Sequence, residues 1–463
     1  MKTLIKGGRI ATASDLFYGD ILVVDGVIKE IGCDIRGSFD HIIDAADKLL
    51  IPGGIDVHTH FNLHTGSAVA RDDFYSGTVA AACGGTTCIV DHMGFGPSNC
   101  NLNHQLNVYH EYAKGNAVID YSFHGVIQHV NPDILAELGD MVLKEGISSF
   151  KIYMTYDYRI SEADIMKVMA RLKVVGGLLT IHAENHEIIE YLKHKFIDNG
   201  CKAPIYHALS RPDYSEGNAV NGVISLASAV GNVPLYIVHL TSELGLQHII
   251  RARASKQTVY AETCPQYLLL NEERYMLDID EGLKYVLSPP LRRRENNEAM
   301  WRGIREGHIQ VVATDHCPFN IATDKQKGRE DFSKCPNGLP GVEERLPLMF
   351  SEGVMKGHIS INKMVEVCCT NPAKLFGMYP KKGTLMPGSD GDIVIIDPNK
   401  EVTLTKGFLH SNVDYTAYEG FKLKGYPIMT LSRGEVIAKD NEFVGERGRG
   451  EFIKRQRFLE QSI

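Results

Sequence analysis

Apolar and polar positions change their period twice along the chain. In the first fifty residues, short apolar runs at Thr3–Ile5, Asp20–Asp25 and Val27–Ile31 read as strands. Gly7-Gly8, Gly26 and Gly32 break them. The same texture returns at Gly391–Ile396, Val402–Leu404 and Ile428–Ile437. Strand-rich ends around a different middle predict one β-sandwich domain built from both termini. Between them lie eight apolar β runs: 54–60, 86–93, 118–127, 148–154, 178–183, 234–240, 257–263 and 310–315. Most are continuous apolar segments, as strands buried on both faces should be. Helical patterns follow most of them, for example 163–175 and 342–355.

Eight such units predict an α/β chain whose middle is a (β/α)8 TIM barrel. A doubly wound open sheet is the competing architecture. It usually carries a glycine-rich turn after its first strand, and Ile55-Asp56-Val57-His58-Thr59-His60 is not one. The expected domains are 1–53 and 379–443 for the two parts of the β-sandwich and 54–378 for the barrel. Residues 444–463 form a C-terminal tail, expected to be solvated or to contact another subunit. The run Arg292-Arg293-Arg294 is expected on a solvated face.

Composition narrows the function classes. The chain has 463 residues, 44% hydrophobic and 23% charged, which excludes intrinsic disorder. Its net charge of -8 argues against a nucleic-acid partner. No apolar run reaches the length of a membrane span, and the N-terminus lacks the apolar core of a signal peptide, so no membrane partner and a cytoplasmic location are expected. Ten cysteines include no C-x-x-C pair, so no zinc ribbon or redox motif is read, and reduced thiols fit that location. The count of 19 histidines points elsewhere, because histidine is the commonest metal ligand.

In a barrel, chemistry sits at the C-terminal ends of the strands. The first run ends in His58-Thr59-His60, and residues two apart on a strand share a face, so both imidazoles point the same way. The fifth run ends in His182, the sixth in His239 and the eighth in Asp315, while the fourth holds Lys151 among apolar neighbours. Singly, each has a structural reading: a hydrogen-bonded core histidine, or an edge or snorkelling lysine. Four histidines and an aspartate all at strand ends make a donor set for Zn²⁺ or a similar divalent ion. A lysine depressed by burial would be neutral there and able to add carbon dioxide, giving a carbamate with two oxygens to bridge two metals.

These residues, in this order, resemble the amidohydrolase superfamily, and within it the dihydropyrimidinase/hydantoinase family. The resemblance is carried by P-G-G-I-D-V-H-T-H at 52–60, G-G-T-T-x-I-V-D-H at 84–92, S-F-K-I-Y-M-T-Y at 149–156 and H-A-E-N at 182–185. It continues through I-V-H-L-T-S at 237–242, E-T-C-P-Q-Y-L at 262–268, S-P-P-L-R at 288–292, A-T-D-H-C-P-F at 313–319, P-N-G-L-P-G-V-E at 336–343 and G-S-D-G-D-I-V-I-I-D at 388–397. Phe61-Asn62, His92–Gly96 and Asp120–Gly125 are most similar to the bacterial D-hydantoinase branch.

The resemblance implies a hydrolase that opens 5-substituted hydantoins or dihydropyrimidines to N-carbamoyl amino acids, using a hydroxide that bridges two metals. His58, His60 and Asp315 would hold one ion, His182 and His239 the other, with Lys151 as N6-carboxylysine between them. Zinc is the metal most often carried by members, with manganese in some. Tyr156 would donate to the oxyanion, Asp315 would carry the proton, and main-chain groups at Ser288 and Asn337 would hold the ring. Members are commonly homotetramers. Phe61, Phe95, Tyr153 and Tyr158 are expected around the exocyclic substituent. His92 and His316 are open between support of the site and packing, and Asp72-Asp73 are expected to cap a helix. Allantoinase is the rival activity. Dihydroorotase is disfavoured because Asn62 stands where that enzyme has arginine. From a different class, a non-catalytic scaffold of the same fold is disfavoured by the intact ligand set.

Overall fold

The computed structural model describes residues 1–66 and 68–458. Five strands open the chain: β1 Lys2–Ala11, β2 Leu16–Val24, β3 Val27–Gly32, β4 His41–Asp44 and β5 Leu49–Pro52. Eight more follow at the expected runs: β6 Gly54–Thr59, β7 Thr86–His92, β8 Asp120–Val126, β9 Ser149–Tyr153, β10 Leu178–His182, β11 Leu235–Ile237, β12 Val259–Thr263 and β13 Val311–Val312. β14 Ile393–Thr403, β15 Lys422–Ser432, β16 Glu435–Lys439 and β17 Glu442–Phe443 complete the set.

β6 to β13 pair in sequence order and in parallel. β6, β7 and β8 are buried at every position, and their polar residues, among them Asp56, His58, Asp91, His92 and His124, are buried with the apolar ones. The barrel closes beyond β13, where the His60 N–H donates to the His316 carbonyl at 2.9 Å and Thr59 bridges His316. The eighth run is thus shorter in the ladder than its sequence pattern. Its remaining residues turn inward toward Asp56, which accepts from Thr314 N–H and Oγ1.

The other nine strands form one hydrogen-bonded sheet, in the order β17-β16-β15-β14-β5-β1-β2-β3, with β4 also paired to β1. Both chain ends contribute, as expected. Gly7-Gly8 does not end a strand: β1 runs through it with a register shift between Ile5 and Gly8, and Gly7 at φ +74° supplies the bulge. β4 pairs with β1 before this bulge and β5 after it. Val402–Leu404 is largely the end of the long β14, and Ile428–Ile437 divides into β15 and β16 at Arg433-Gly434. Lys382 fastens sheet to barrel: its buried Nζ lies 2.6 Å from Asp120 at the start of β8 and 2.8 Å from both Asp390 and Asp392.

One charged run differs from expectation. Arg292 is buried, because Thr241 Oγ1 and the Arg211 carbonyl both accept from it, so only its neighbours Arg293 and Arg294 are exposed. Residues 445–458 of the tail lie against the chain's own barrel, and 459–463 fall outside the described residues. Gly450 donates to Ala117, Ile453 to Tyr121, Arg455 to Gly146 and Phe458 to Gly176, while the buried Arg455 guanidinium reaches Ser122 and Phe123.

Candidate active site

The strand-to-helix turns place the functional side chains. His182 ends β10, and Asn185 caps the helix His186–Asp198 through Ile188 N–H. His239 follows β11, and Ser242 caps Glu243–Ala254 through Gly245 N–H. Such caps satisfy the first helical donors and fix where each strand stops. Three residues here hold positive φ without being glycine: Tyr156 at +73°, His239 at +38° and Asp315 at +55°. L side chains adopt this region at a cost of about 1–3 kcal/mol, met only where surroundings enforce it, and such strain concentrates at functional sites.

At the C-terminal mouth of the barrel lies a cavity of about 660 Å³. His58, His60, Lys151, His182, His239, Asp315, Tyr156, Ser288 and Asn337 all line it. The structure therefore gathers the expected ligand, catalytic and ring-binding residues into one place. Leu63, Tyr153, Tyr158 and Cys317 add apolar wall. Phe61 does not reach this cavity; it is fully buried against Phe74 and His316. Phe95 stacks on Tyr158 with ring centres 4.0 Å apart.

Hydrogen bonds decide which ring nitrogens face the cavity with lone pairs. Glu262 Oε1 lies 2.6 Å from His58 Nδ1, and a carboxylate only accepts, so Nδ1 carries a proton and a neutral His58 presents its Nε2 lone pair. Glu184 Oε2 lies 2.7 Å from His182 Nε2, leaving Nδ1 bare by the same argument. Asp315 Oδ1 sits 3.1 Å from both His58 Nε2 and His60 Nε2. Lone pairs facing one carboxylate oxygen at that range call for a positive charge among them. His60 Nδ1, His239 Nδ1 and Lys151 Nζ are buried without a hydrogen-bond partner among the described residues. Donor atoms of His58, His239 and Asp315 lie within 4.8 Å of one another, as do those of His58, His60 and His92. This is the donor chemistry and spacing of a divalent-metal site.

Electrostatics agree with that fit at His60 and Lys151. Burial pushes His60 down to about 4 and the Lys151 ammonium down to about 8. Burial also lowers His58, but the Glu262 and Asp315 carboxylates together more than offset it and lift the group to about 8. For Asp315 burial acts upward, yet the His58 and His60 imidazoles hold it well below the usual carboxylate range.

Glu262 and Glu184 are the residues that sequence reasoning missed. Both stand in quoted motifs, and the available signal was a carboxylate within or just after an apolar strand. Glu262 also accepts from Tyr236 Oη at 2.9 Å and from His239 N–H at 3.1 Å, so one carboxylate steadies two candidate ligands. His92 stacks between His58 and His124, 4.3 Å from each ring centre, without a hydrogen bond among the described residues. His316 is structural: its Nε2 lies 3.0 Å from Asp72. Asp73 caps the turn into the helix Ser76–Cys83 by accepting from Tyr75 and Ser76 N–H. Asp72 instead ties that turn to Ser411 and Asn412.

A profile of the amidohydrolase family matches residues 49–437. The chain belongs to the amidohydrolase family. Among its amidohydrolase relatives, the D-phenylhydantoinase of Escherichia coli O1:K1 / APEC is 50% identical over 460 residues, 99% of each chain. The dihydropyrimidinase from Brevibacillus agri NCHU1002 superposes with a TM-score of 0.98 at 41% identity, covering 100% of both chains. The D-hydantoinase from a Bacillus sp. AR9 gives 0.97 at 42%, covering 99% of this chain and 100% of that one. Membership in the amidohydrolase family implies a divalent metal, which the donor set fits. No helix among the described residues is long and apolar enough to cross a membrane.

Proposed function

We propose that this amidohydrolase hydrolyses the ring amide of 5-substituted hydantoins and dihydropyrimidines, releasing N-carbamoyl amino acids. The observation that carries the reading is the convergence of six metal-donor residues with Tyr156, Ser288 and Asn337 on one cavity. His58, His60 and Asp315 would hold one divalent ion and His182 and His239 a second, with Lys151 as N6-carboxylysine between them. Zinc is the proposed metal, on the strength of the imidazole and carboxylate donors. Such ions, when bound, supply a water made nucleophilic near neutral pH and a polarised carbonyl.

The chain's own residues do the rest. Ser288 and Asn337 border the cavity, and their main-chain groups would hold the ring's amide groups. Tyr156 O–H donates to the carbonyl oxygen as negative charge develops there; burial raises its phenol above the ordinary range, so it keeps its proton. Asp315, held ionised, accepts the proton of the attacking water and delivers it to the ring nitrogen as the C–N bond breaks. Leu63, Tyr153 and Tyr158 present an apolar, largely aromatic wall to the exocyclic substituent.

Turnover of 5-phenylhydantoin, dihydrouracil and allantoin by metal-loaded enzyme tests the reading. Fastest opening of 5-phenylhydantoin is expected, and a preference for allantoin overturns it. A cytoplasmic location is proposed on the ten free thiols. A homotetramer is proposed on family likeness, and light scattering tests it.

A further inference from the structure

Behind the cavity, four side chains from three segments touch in series. Glu184 Oε2 is 2.7 Å from His182 Nε2 and accepts from Arg211 Nη1 at 2.6 Å. The Arg211 guanidinium carbon lies 5.1 Å from the centre of the Tyr156 ring. His182, Glu184 and Arg211 are buried, and the Arg211 carbonyl is itself held by Arg292. Tyr156 sits at φ +73°, a backbone conformation that its surroundings must hold.

We infer that Arg211 is a positioning residue that aims the Tyr156 phenol at the reacting carbonyl while its ion pair with Glu184 orients His182. The chemistry of the side chain supports this. A guanidinium is planar: one edge can bind a carboxylate while its face or another edge meets an aromatic ring. A lysine ammonium can pair with Glu184 but cannot do both in that geometry. One side chain thereby couples a candidate metal ligand to the candidate oxyanion donor. Arg211 lies outside the stretches that carried the family resemblance.

The inference rests on the proposed function, and a double-mutant cycle separates the two. Arg211→Lys should keep its metal, measured by elemental analysis, and lose kcat on the order of 10-fold with KM little changed. In a Tyr156→Phe background, Arg211→Lys should cause no further loss of kcat. Equal losses in both backgrounds, or no loss in the wild type, overturn the inference. Glu184→Gln adds a readout free of turnover: metal retention against a chelator should fall, and unchanged retention removes the link to His182. If Arg211→Lys does not fold, Arg211→Gln, whose amide can still donate to Glu184 but carries no cation to the ring, repeats the cycle in the two backgrounds. Wild-type enzyme inert toward hydantoins and dihydropyrimidines defeats the proposed function itself, whereas active enzyme with an additive cycle defeats only the role of Arg211.

Discussion

Glu262 Oε1 lies 2.6 Å from His58 Nδ1, although 204 residues separate them in the chain. That contact sets the tautomer of neutral His58 and turns its other nitrogen toward Asp315. Glu262→Gln removes the charge and keeps the shape. Metal affinity should fall about 10–100-fold, the usual effect of losing a carboxylate behind a ligating histidine. Competition with a graded chelator measures it, and wild-type affinity in the variant refutes the role.

Lys151 is fully buried, and its Nζ has no hydrogen-bond partner among the described residues. An isolated buried ammonium is costly, whereas a carbamate between cations is not. Lys151→Ala should lose both metal and turnover. Acetate or propionate at high concentration should restore part of each by supplying the missing carboxylate. An alanine variant with full activity rules out the bridge.

The same lysine gives a pH dependence. Burial lowers its ammonium to about 8 in the metal-free chain. Only the neutral amine adds carbon dioxide, and the neutral fraction grows as pH rises. At fixed dissolved carbon dioxide, reloading of metal-free enzyme should therefore be slow near neutrality and accelerate through about pH 8. Stopped-flow metal uptake follows it, and a rate that falls over this range contradicts the assignment.

Asp315 has two proposed duties, and Asp315→Asn separates them. The amide still offers an oxygen to a cation but cannot take up the proton of the attacking water. Metal content should stay near wild type while kcat drops about 10²–10⁴-fold. Elemental analysis alongside steady-state kinetics reads both. A variant retaining most turnover assigns the proton to another group.

The barrel was legible because strands covered on both faces write themselves as unbroken apolar runs, and any polar residue ending such a run stands out. His182 and His239 are visible for that reason. Arg292 was not, since a run of three arginines looks solvated unless one knows that Thr241 and the Arg211 carbonyl wait behind the first of them. Gly7-Gly8 read as a break because glycine ends strands and makes bulges alike; the pairing of β1 with β2, β4 and β5 decides which. Partners such as Glu262 for His58 follow the ring order of the barrel strands rather than spacing along the chain, so no local pattern announces them. Phe61 illustrates the converse: apolar and next to His60, it fits a pocket wall by sequence, yet it packs behind the strand.

The split sheet has a consequence for biosynthesis. β5 pairs with β14 through Pro52 and Ile393, about 340 residues later in the chain. At a translation rate of about 5–20 residues per second, one edge of the N-terminal strands waits roughly 20–70 s for its partner to leave the ribosome. An edge left open that long is a template for a neighbouring nascent chain or a landing place for a chaperone.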